Sequence, residues 1–447
     1  MNKFNRRSTA VVISFLFLVI IASFGTLLAT PSKPVADAGP DQSVDVDQQV
    51  TFDGSGSSTP VGYIVSWEWD FGNGDSDSGE IVYYTYSAEG TYTVTLTVTN
   101  SVGKSDTDTA VITVSSGSGG EEPDPGTPPP GMKVYVTGNA SWVTTEHQPG
   151  IVYMGGGAEC DEAMAWLTAK TNNGDFVVIR TDGSDGYQDY IYSDIGGVDS
   201  VHTLVITKAA QADSTYVETV IKNAEALWIA GGDQTDYYDL WNDTKVESAI
   251  DYLLTVKGVA VGGTSAGMAV LGQIDYIPNT LGIYSSEALS DPYHSYMLYR
   301  QTDFISLVPY SSGIITDTHF SERDRLGRTI TFMARNIVDG LTTVSTTRAI
   351  ACDEGAAVCV DGNGQAQVFG WEGYTDYVYF LKADTVPDTC VSGTPLHWTD
   401  AVTVYKVRGW PAGSNTFNLV NWTGSGGSWE SVNVNNGTID NDIQEPD

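Results

Sequence analysis

A serine between glycines and a histidine among arginines are the residues here whose types and spacing suggest catalysis. Ser265 lies in the sequence Gly-Thr-Ser-Ala-Gly at residues 263–267, directly after an apolar run. Such a stretch is typical of a sharp strand-to-helix turn that presents a hydroxyl group. His319 follows the strand-like run 313–316 and would remove the proton from that hydroxyl. Together these residues predict acyl transfer by an activated serine.

Two arginines follow this histidine at helical spacing. Arg325 and Arg328 are three residues apart, so they share one face of a helix. We expect both guanidinium groups to hold a substrate carboxylate. The alternative is a solvated helix face with salt bridges. Among the other histidines, His294 in a tyrosine-rich loop is the competitor of His319 as the base.

Length and charge limit the classes of function. A chain of 447 residues predicts two or three domains. The formal net charge is −35, from 56 acidic against 21 basic residues, so nucleic acid is not an expected partner. Such an excess of acid favours solubility of an exported protein, and its field would attract a cationic substrate.

The amino terminus predicts export. Residues 1–30 carry Arg6 and Arg7 before an apolar run and indicate a signal peptide or a membrane anchor. The remainder is then secreted or held on the outer face of the membrane. In an oxidising compartment the cysteines could form two disulfides, and their spacing predicts no metal site. They are Cys160, Cys352, Cys359 and Cys390.

Composition shifts divide the exported part into four segments. Residues 31–116 alternate apolar and polar residues between turns, which predicts a β-sandwich. Residues 117–131 form a Gly/Pro-rich linker. Residues 132–435 form a hydrolase domain in which apolar strands alternate with helices. This pattern predicts an α/β domain with a mainly parallel sheet. Residues 436–447 are expected to form a flexible tail.

Glycine clusters indicate where the site of the α/β domain lies. Residues 155–157, 231–232 and 262–263 each follow an apolar strand candidate. Active sites of parallel sheets lie at the carboxyl ends of the strands, so we expect the three clusters on one rim. Beyond Thr342 the chain is rich in strands again, which we interpret as a sheet extension of the same domain.

Residues 31–116 resemble the PKD domain, an Ig-like β-sandwich. The resemblance is carried by the sequence Trp-Asp-Phe-Gly-Asn-Gly at residues 69–74, by Tyr86, and by the run 90–100. It implies a spacer, or a module that contacts a polymer or a cell surface.

The α/β domain resembles the cyanophycinase family of serine peptidases, which includes aspartyl dipeptidase. Three motifs carry the resemblance, at residues 231–234, 263–267 and 317–328, within a similarity that spans about 150–420. It implies a fold like that of class I glutamine amidotransferases and no metal or organic cofactor. The implied substrate is an aspartyl-linked peptide or polymer such as cyanophycin, which the family cleaves to β-Asp-Arg dipeptides.

The resemblance also implies roles for individual residues. Ser265 becomes the nucleophile and His319 its general base. The oxyanion hole is expected from backbone N–H groups of Ala266, Gly232 and Asp233. The residues implied to line the substrate pocket are Gln234, Asp317, Thr318, Arg325 and Arg328. The family usually carries Gln where this chain has Thr318, and we expect the shorter side chain to alter recognition of the substrate.

The third member of the triad is expected to be an acid between the serine and the histidine in sequence. Glu287 is our choice, and its competitors are Asp275, Asp291 and Asp303. Other enzyme classes stay open at this point: a dipeptidase-like peptidase with another substrate, or an α/β-hydrolase esterase. A non-catalytic surface module that binds a partner is the alternative outside enzymes. A homodimer also stays open.

Overall fold

A computed structural model describes residues 33–45, 49–115, 123–278, 282–297, 299–301, 304–371 and 376–444. The expected leader, residues 1–30, lies outside these residues, as does the first part of the expected linker. Among the described residues, no helix is both long and apolar enough to span a membrane. Two compact units are present: the described parts of residues 1–42, 52–82 and 91–112, and the remainder of the chain.

The amino-terminal strands form the predicted β-sandwich. They are β1 (Gln42–Asp45), β2 (Gln49–Asp53), β3 (Ile64–Asp70), β4 (Ser76–Ser78), β5 (Ile81–Thr85), β6 (Gly90–Asn100) and β7 (Ser105–Ser115). One sheet has the order β1-β7-β6-β3-β4, and β2 pairs with β5. The rings of Phe52, Trp69 and Phe71 pack together with centroids 5.3 to 5.5 Å apart, and all three are buried.

A ten-stranded sheet forms the centre of the second unit. Its order is β23-β22-β19-β18-β9-β13-β12-β10-β11-β8. The strands are β8 (Lys133–Gly138), β9 (Gly150–Met154), β10 (Asp175–Arg180), β11 (Ser200–Val205), β12 (Ala226–Ile229), β13 (Ala260–Thr264), β18 (Ala357–Asp361), β19 (Gln365–Phe369), β22 (Asn415–Asn418) and β23 (Thr423–Ser425). The five from β9 to β11 are mutually parallel, and the flanking strands are antiparallel. The mainly parallel centre is confirmed.

Both faces of the parallel strands are buried, because successive side chains of a strand point to opposite faces. In β9, Ile151 and Tyr153 join one hydrophobic cluster, whereas Val152 and Met154 join another. The described helices of this unit are α1 (Asp161–Ala169), α2 (Tyr187–Asp189), α3 (Ala209–Ala212), α4 (Thr215–Asn223), α5 (Gln234–Trp241), α6 (Lys245–Tyr252), α7 (Ala266–Ala269), α8 (Ser285–Ser290) and α9 (Leu326–Val338), with π-helical segments Tyr190–Ile195 and Leu253–Lys257.

The strands beyond Thr342 belong to the same unit, and they are divided between two sheets. A separate eight-stranded sheet has the order β15-β14-β16-β17-β20-β21-β24-β25. Its strands are β14 (Ile274–Tyr276), β15 (Tyr299–Gln301), β16 (Ile314–Asp317), β17 (Arg348–Cys352), β20 (Tyr377–Ala383), β21 (Trp398–Arg408), β24 (Ser428–Asn435) and β25 (Thr438–Ile439). Of these, β14, β16 and β17 run parallel. A third hydrophobic cluster covers this sheet, and Trp398 and Phe332 are among its members.

The carboxyl-terminal tail also differs from the expectation, since residues 436–444 are anchored. Ile443 is buried, and its carbonyl oxygen accepts a hydrogen bond from Lys406 Nζ (2.9 Å). The side-chain oxygen of Gln444 accepts from the backbone N–H of Leu326 (2.6 Å), at the first residue of α9. These contacts are long-range, and nothing in the polar composition of the tail indicates them.

The four cysteines are free thiols, all of them buried. The disulfides considered from the sequence are therefore not formed in this structure. Burial raises the pKa of Cys160 and of Cys390 to about 12, so both thiols are protonated near neutral pH.

Candidate active site

The sharp turn expected around the serine is present. Ser265 follows β13 with φ of 51° and ψ of −116°, a backbone conformation that non-glycine residues rarely adopt. Helix α7 starts at the next residue. A Cβ atom on Gly267 would lie 2.0 Å from the carbonyl oxygen of Ile229, so only glycine lets this helix approach β12 so closely. The turn leaves Ser265 half-buried, with its hydroxyl at the carboxyl end of β13.

The structure brings the serine and the histidine together. His319 follows β16, and its Nε2 atom lies 2.7 Å from Ser265 Oγ. The backbone N–H of His319 donates to the carbonyl oxygen of Gly155 (2.9 Å), just beyond β9. A Cβ atom on Gly156 would lie 2.4 Å from His319 Cε1 and 3.0 Å from Ser265 Cβ. Glycine after β9 is therefore what makes room for the pair.

Glu354 completes a row of three side chains. Its carboxylate Oε1 contacts His319 Nδ1 within hydrogen-bonding distance. Glu354 follows β17, which runs parallel to β16 with Asp317 opposite Ala351. Because the carboxyl ends of paired parallel strands lie together, residues shortly after the two strands meet. His319 is buried, and the Glu354 side chain is 38% exposed.

Glu287, our choice for the third position, lies elsewhere. Its carboxylate accepts a hydrogen bond from the backbone N–H of Tyr284 (3.0 Å) and so caps the first turn of α8. Asp291 is likewise engaged locally, accepting from the backbone N–H groups of Tyr293 and Gly393 at 2.9 Å. Asp303 lies outside the described residues. The prediction was wrong because it assumed an acid between the serine and the histidine in sequence. The pairing of strands decides which acid reaches the histidine, and Glu354 follows both residues in the chain.

A sequence signal for Glu354 did exist. Residues 353–355 read Asp-Glu-Gly and directly follow the apolar run that became β17. The same pattern, a glycine after an apolar strand, marked the clusters at 155–157 and 231–232 as candidates for the site. Of the three glycine clusters, residues 262–263 lie inside β13 instead of at the rim.

The electrostatic surroundings keep the histidine available as a base. Burial lowers the pKa of His319, and the positive charges of Arg323 and Arg325 lower it further. The hydrogen bond and negative charge of Glu354 oppose these effects, but the net shift of the pKa is downward. The imidazole is therefore neutral near pH 7 and can accept a proton from Ser265.

Arg328 does not have the role expected from the sequence. It is buried, and its Nε atom donates to Asp317 Oδ2 (2.9 Å) while a second nitrogen reaches Oδ1. Arg325 donates to the carbonyl oxygen of Thr318 (2.6 Å) and lies 3.3 Å from Asp317 Oδ1. Both guanidinium groups are thus engaged with the protein's own carboxylate. The third arginine of the motif, Arg323, is exposed.

Asp317 forms the centre of this buried cluster. Burial alone would raise the pKa of its carboxyl, but the charges of Arg328 and Arg325 outweigh it and hold the pKa below its usual range. Thr329 Oγ1 adds a hydrogen bond to Oδ2 (2.7 Å). Asp317 is only 2% exposed, so it supports the segment that carries His319 and is not open to a substrate.

The remaining pocket residues are held by contacts within the protein. Thr318 is buried, and its Oγ1 accepts from Arg325 (3.1 Å). Gln234 donates through Nε2 to the carbonyl oxygen of Tyr276 (3.3 Å). Asp233 caps α5 by accepting from the backbone N–H of Thr235 (2.9 Å). Substrate contacts by Gln234 and Thr318 therefore stay predictions.

One distance, between Gly231 and Ser265, supports the expected position of the oxyanion hole. A Cβ atom on Gly231 would lie 3.5 Å from Ser265 Cβ, so the loop after β12 does pass beside Ser265. Gly232 follows in that loop, and Ala266 is the first residue of α7. Their N–H groups, with that of Asp233, stay candidates for binding an oxyanion.

A hydroxyl, an imidazole and a carboxylate in one hydrogen-bonded row, at the carboxyl ends of parallel strands, have the geometry of a serine hydrolase site. Residues 188–284 match peptidase family S51, and residues 31–114 match the PKD domain. The chain therefore combines a segment similar to the PKD domain with a segment similar to peptidase family S51. The S51 match includes Ser265 but ends before His319 and Glu354.

The chain is also similar to curated cyanophycinases. A cyanophycinase from Nostoc sp. is 27% identical over 174 residues, which are 39% of this chain and 52% of that protein. A cyanophycinase from Geminocystis herdmanii is 25% identical over 146 residues, 33% of this chain and 49% of that protein. The chain thus spans about half the length of the curated relatives it matches.

One solved structure, a peptidase from an acI-B1 Actinobacterium, overlaps 61% of this chain and 98% of its own. Its TM-score is 0.37 at 17% sequence identity.

Proposed function

We propose that this chain is an exported serine peptidase of the cyanophycinase type that hydrolyses aspartyl-linked peptides. The observation that carries the proposal is the row Ser265–His319–Glu354, with 2.7 Å between Ser265 Oγ and His319 Nε2. The similarity to cyanophycinases supports an aspartyl-linked substrate, with cyanophycin as the first candidate. The charged and apolar leader at residues 1–30 supports export.

The reaction would begin with proton transfer from Ser265 Oγ to His319 Nε2 as Oγ attacks the carbonyl carbon of the scissile amide. The carbonyl oxygen becomes an oxyanion, for which the N–H groups of Ala266 and of the 231–233 loop are the candidate donors. His319 then returns its proton to the leaving nitrogen. The C–N bond breaks, which leaves an acyl ester on Ser265.

Water completes the cycle. The oxygen of a water molecule attacks the acyl ester while His319 takes a proton from that water. His319 then returns the proton to Ser265 Oγ when the carboxylic acid leaves. Glu354 accepts from His319 Nδ1 throughout, which fixes the tautomer in which Nε2 is free to act as the base. It also stabilises the imidazolium ion formed in each half-reaction.

Arg323 is the arginine that we assign to a substrate carboxylate. It is exposed, and its charge is close enough to lower the pKa of His319. Arg325 and Arg328 act instead through Asp317, by holding the segment on which His319 lies. For the PKD domain we propose contact with a polymer or a cell surface, which would keep the peptidase near its substrate.

The test is incubation of the purified chain with cyanophycin, followed by mass spectrometry of the soluble products. Release of β-Asp-Arg by the wild type and none by Ser265→Ala would support both the activity and the substrate. If the wild type releases nothing while a fluorophosphonate still labels Ser265, the peptidase acts on another substrate. Thr318, where the family usually has Gln, is then the first position to change.

A further inference from the structure

The carboxyl-terminal tail contacts the turn that follows the candidate base. Gln444 binds both ends of this turn, residues 320–326, through one amide group. Its Oε1 atom accepts from the backbone N–H of Leu326 (2.6 Å), and its Nε2 atom donates to the carbonyl oxygen of Phe320 (3.3 Å). Phe320 is the residue directly after His319. A side chain from the far end of the sequence thus closes the turn between His319 and α9.

This turn needs support from outside its own sequence. His319 and Asp324 have φ values of 46° and 47°, a conformation that non-glycine residues rarely adopt. Such conformations persist where the surrounding structure determines them. Phe320 is held on two sides, because its N–H donates to the carbonyl oxygen of Cys352 (3.2 Å) while its own carbonyl oxygen accepts from Gln444.

The start of α9 also depends on distant side chains. The first N–H groups of a helix have no partner within the helix, and the residue before it often supplies an acceptor. Here that residue is Arg325, whose guanidinium group has donors only. Gln444 supplies the acceptor for Leu326, and Ser285 Oγ supplies the acceptor for the N–H of Arg328 (3.1 Å).

The tail is itself fixed to the eight-stranded sheet. Ile443 is buried, and its carbonyl oxygen accepts from Lys406 Nζ on β21 (2.9 Å). Asn441 Nδ2 donates to the carbonyl oxygen of Ser431 on β24 (3.1 Å). These contacts immediately precede Gln444 in sequence, so the sheet determines where its amide group lies.

An amide is suited to this position, because it both donates and accepts. A carboxylate at Gln444 could still accept from the N–H of Leu326, and negative charge is favourable at the start of a helix. It could not donate to Phe320, whose carbonyl oxygen it would repel. A change from amide to carboxylate therefore separates the capping of α9 from the restraint of Phe320.

We propose that Gln444 is a positioning residue for His319. By holding Phe320, it keeps His319 Nε2 in place, 2.7 Å from Ser265 Oγ. The effect on the reaction rests on the proposed function, whereas the restraint of the turn rests on the two hydrogen bonds of the Gln444 amide alone.

The experiment measures the rate at which a fluorophosphonate labels Ser265 in the full chain. The probe carries no carboxylate, because Arg323, assigned above to a substrate carboxylate, lies in the same turn. A pH of about 8 keeps His319 neutral. We expect Gln444→Ala and Gln444→Glu to be labelled at least about tenfold more slowly than the wild type, since small displacements of reacting groups cost that much.

Gln365→Glu is the matched control. The Gln365 amide also donates to a backbone carbonyl oxygen, that of Phe417 (3.2 Å), and accepts from Asn418 Nδ2 (3.2 Å). Its backbone N–H donates to Asp361, which lies opposite Gly150 at the amino-terminal end of β9, whereas the candidate site lies at the carboxyl ends of the parallel strands. This variant should be labelled within about twofold of the wild-type rate.

Hydrogen exchange gives a second measurement that does not depend on the reaction. In peptides covering residues 319–326, Gln444→Ala should exchange at least about tenfold faster than the wild type. Thermal unfolding of Gln444→Glu should stay close to that of the wild type, because the carboxylate still caps α9. Circular dichroism shows whether each variant is folded, and Gln444→Glu decides alone if Gln444→Ala is not.

The proposal is overturned if Gln444→Glu is labelled at the wild-type rate, since Gln444 would then serve only as a cap of α9. Unchanged exchange of the turn in Gln444→Ala would also overturn it. Absent labelling of the wild type would contradict the proposed hydrolase activity instead. Exchange in Gln444→Ala and Gln444→Glu would then decide whether Gln444 holds the turn.

Discussion

Ser265, His319 and Glu354 form one hydrogen-bonded row although each follows a different strand. Ser265 is held in a strained backbone conformation, and His319 also has a positive φ, of 46°. Strain of this kind persists where the surroundings determine the conformation. Gly156 supplies part of that restraint, since any side chain there would collide with the His319 ring.

Glu354→Gln should slow the reaction without unfolding the chain. The amide can turn its NH₂ group toward His319 and stabilise the wrong tautomer, so kcat is expected to fall by roughly 10⁴-fold. Glu287→Gln, the matched control, removes only a carboxylate that caps α8, and kcat should stay within about threefold of the wild type. Equal losses in the two variants, measured with the same substrate, would contradict the assignment of Glu354.

The same pair has a pH signature. His319 must be neutral to act, and its pKa is held below the usual value of about 6.5. Activity should therefore be lost only as the pH falls below about 6.5. Because Glu354 raises the pKa of His319, the residual activity of Glu354→Gln should be lost at a still lower pH. A shift of the acid limb to higher pH in this variant would count against the assignment.

At the level of elements, parallel pairing of β16 and β17 places the segments that follow these two strands side by side. Reciprocal hydrogen bonds join these segments: Ser321 N–H donates to Asp353 Oδ1 (2.9 Å), and Glu354 N–H donates to Glu322 Oε1 (3.0 Å). Burial and the neighbouring acids raise the pKa of Glu322 to about 7. The backbone of Glu354 thus depends on a second acid, Glu322.

Glu322→Ala is expected to lower kcat by about 10- to 100-fold, because the backbone of Glu354 loses its partner and a displacement near 1 Å can cost that much. Glu322→Gln keeps an oxygen that can accept the hydrogen bond and should retain most of the activity. Steady-state kinetics of both variants check this. A purely electrostatic role would instead give the same loss for Gln and Ala.

Asp317→Asn tests the buried cluster before α9. The amide leaves Arg328 buried without its ion pair, which is expected to cost about 3–5 kcal/mol of unfolding free energy. Glu218→Gln, which removes ion pairs of Lys222 and Lys245 nearer the surface, should cost about 1 kcal/mol or less. Urea denaturation measures both. Similar costs for the two substitutions would show that Asp317 is not a structural centre.

Part of this arrangement could be predicted from the sequence. The strand-turn-helix signal around Ser265 and the strand before His319 are local, so both residues were placed correctly at strand ends. The partner of His319 depends on which strands pair, and no local pattern states that β17 lies beside β16. For the same reason Arg328 was predicted to bind substrate: its spacing from Arg325 is visible in the sequence, but its distance from Asp317 is not.

At the scale of the whole molecule, charge is the dominant feature. With a net charge of −35, the chain should attract a cationic substrate from a distance. Raising the salt from about 0.01 M to about 1 M shortens the screening length from about 30 Å to about 3 Å. We expect kcat/KM for a cationic polymer to fall by at least about tenfold, and that for a neutral peptide to change little. Equal salt effects on both substrates would contradict electrostatic attraction.

The most direct test of the central claim is covalent labelling of the full chain with a fluorophosphonate, followed by peptide mass spectrometry. The row of Ser265, His319 and Glu354 predicts a single modified residue, Ser265, with labelling slowed by at least about 100-fold in His319→Ala. Labelling of another serine, or labelling of Ser265 at an unchanged rate without His319, would contradict a serine nucleophile activated by that histidine.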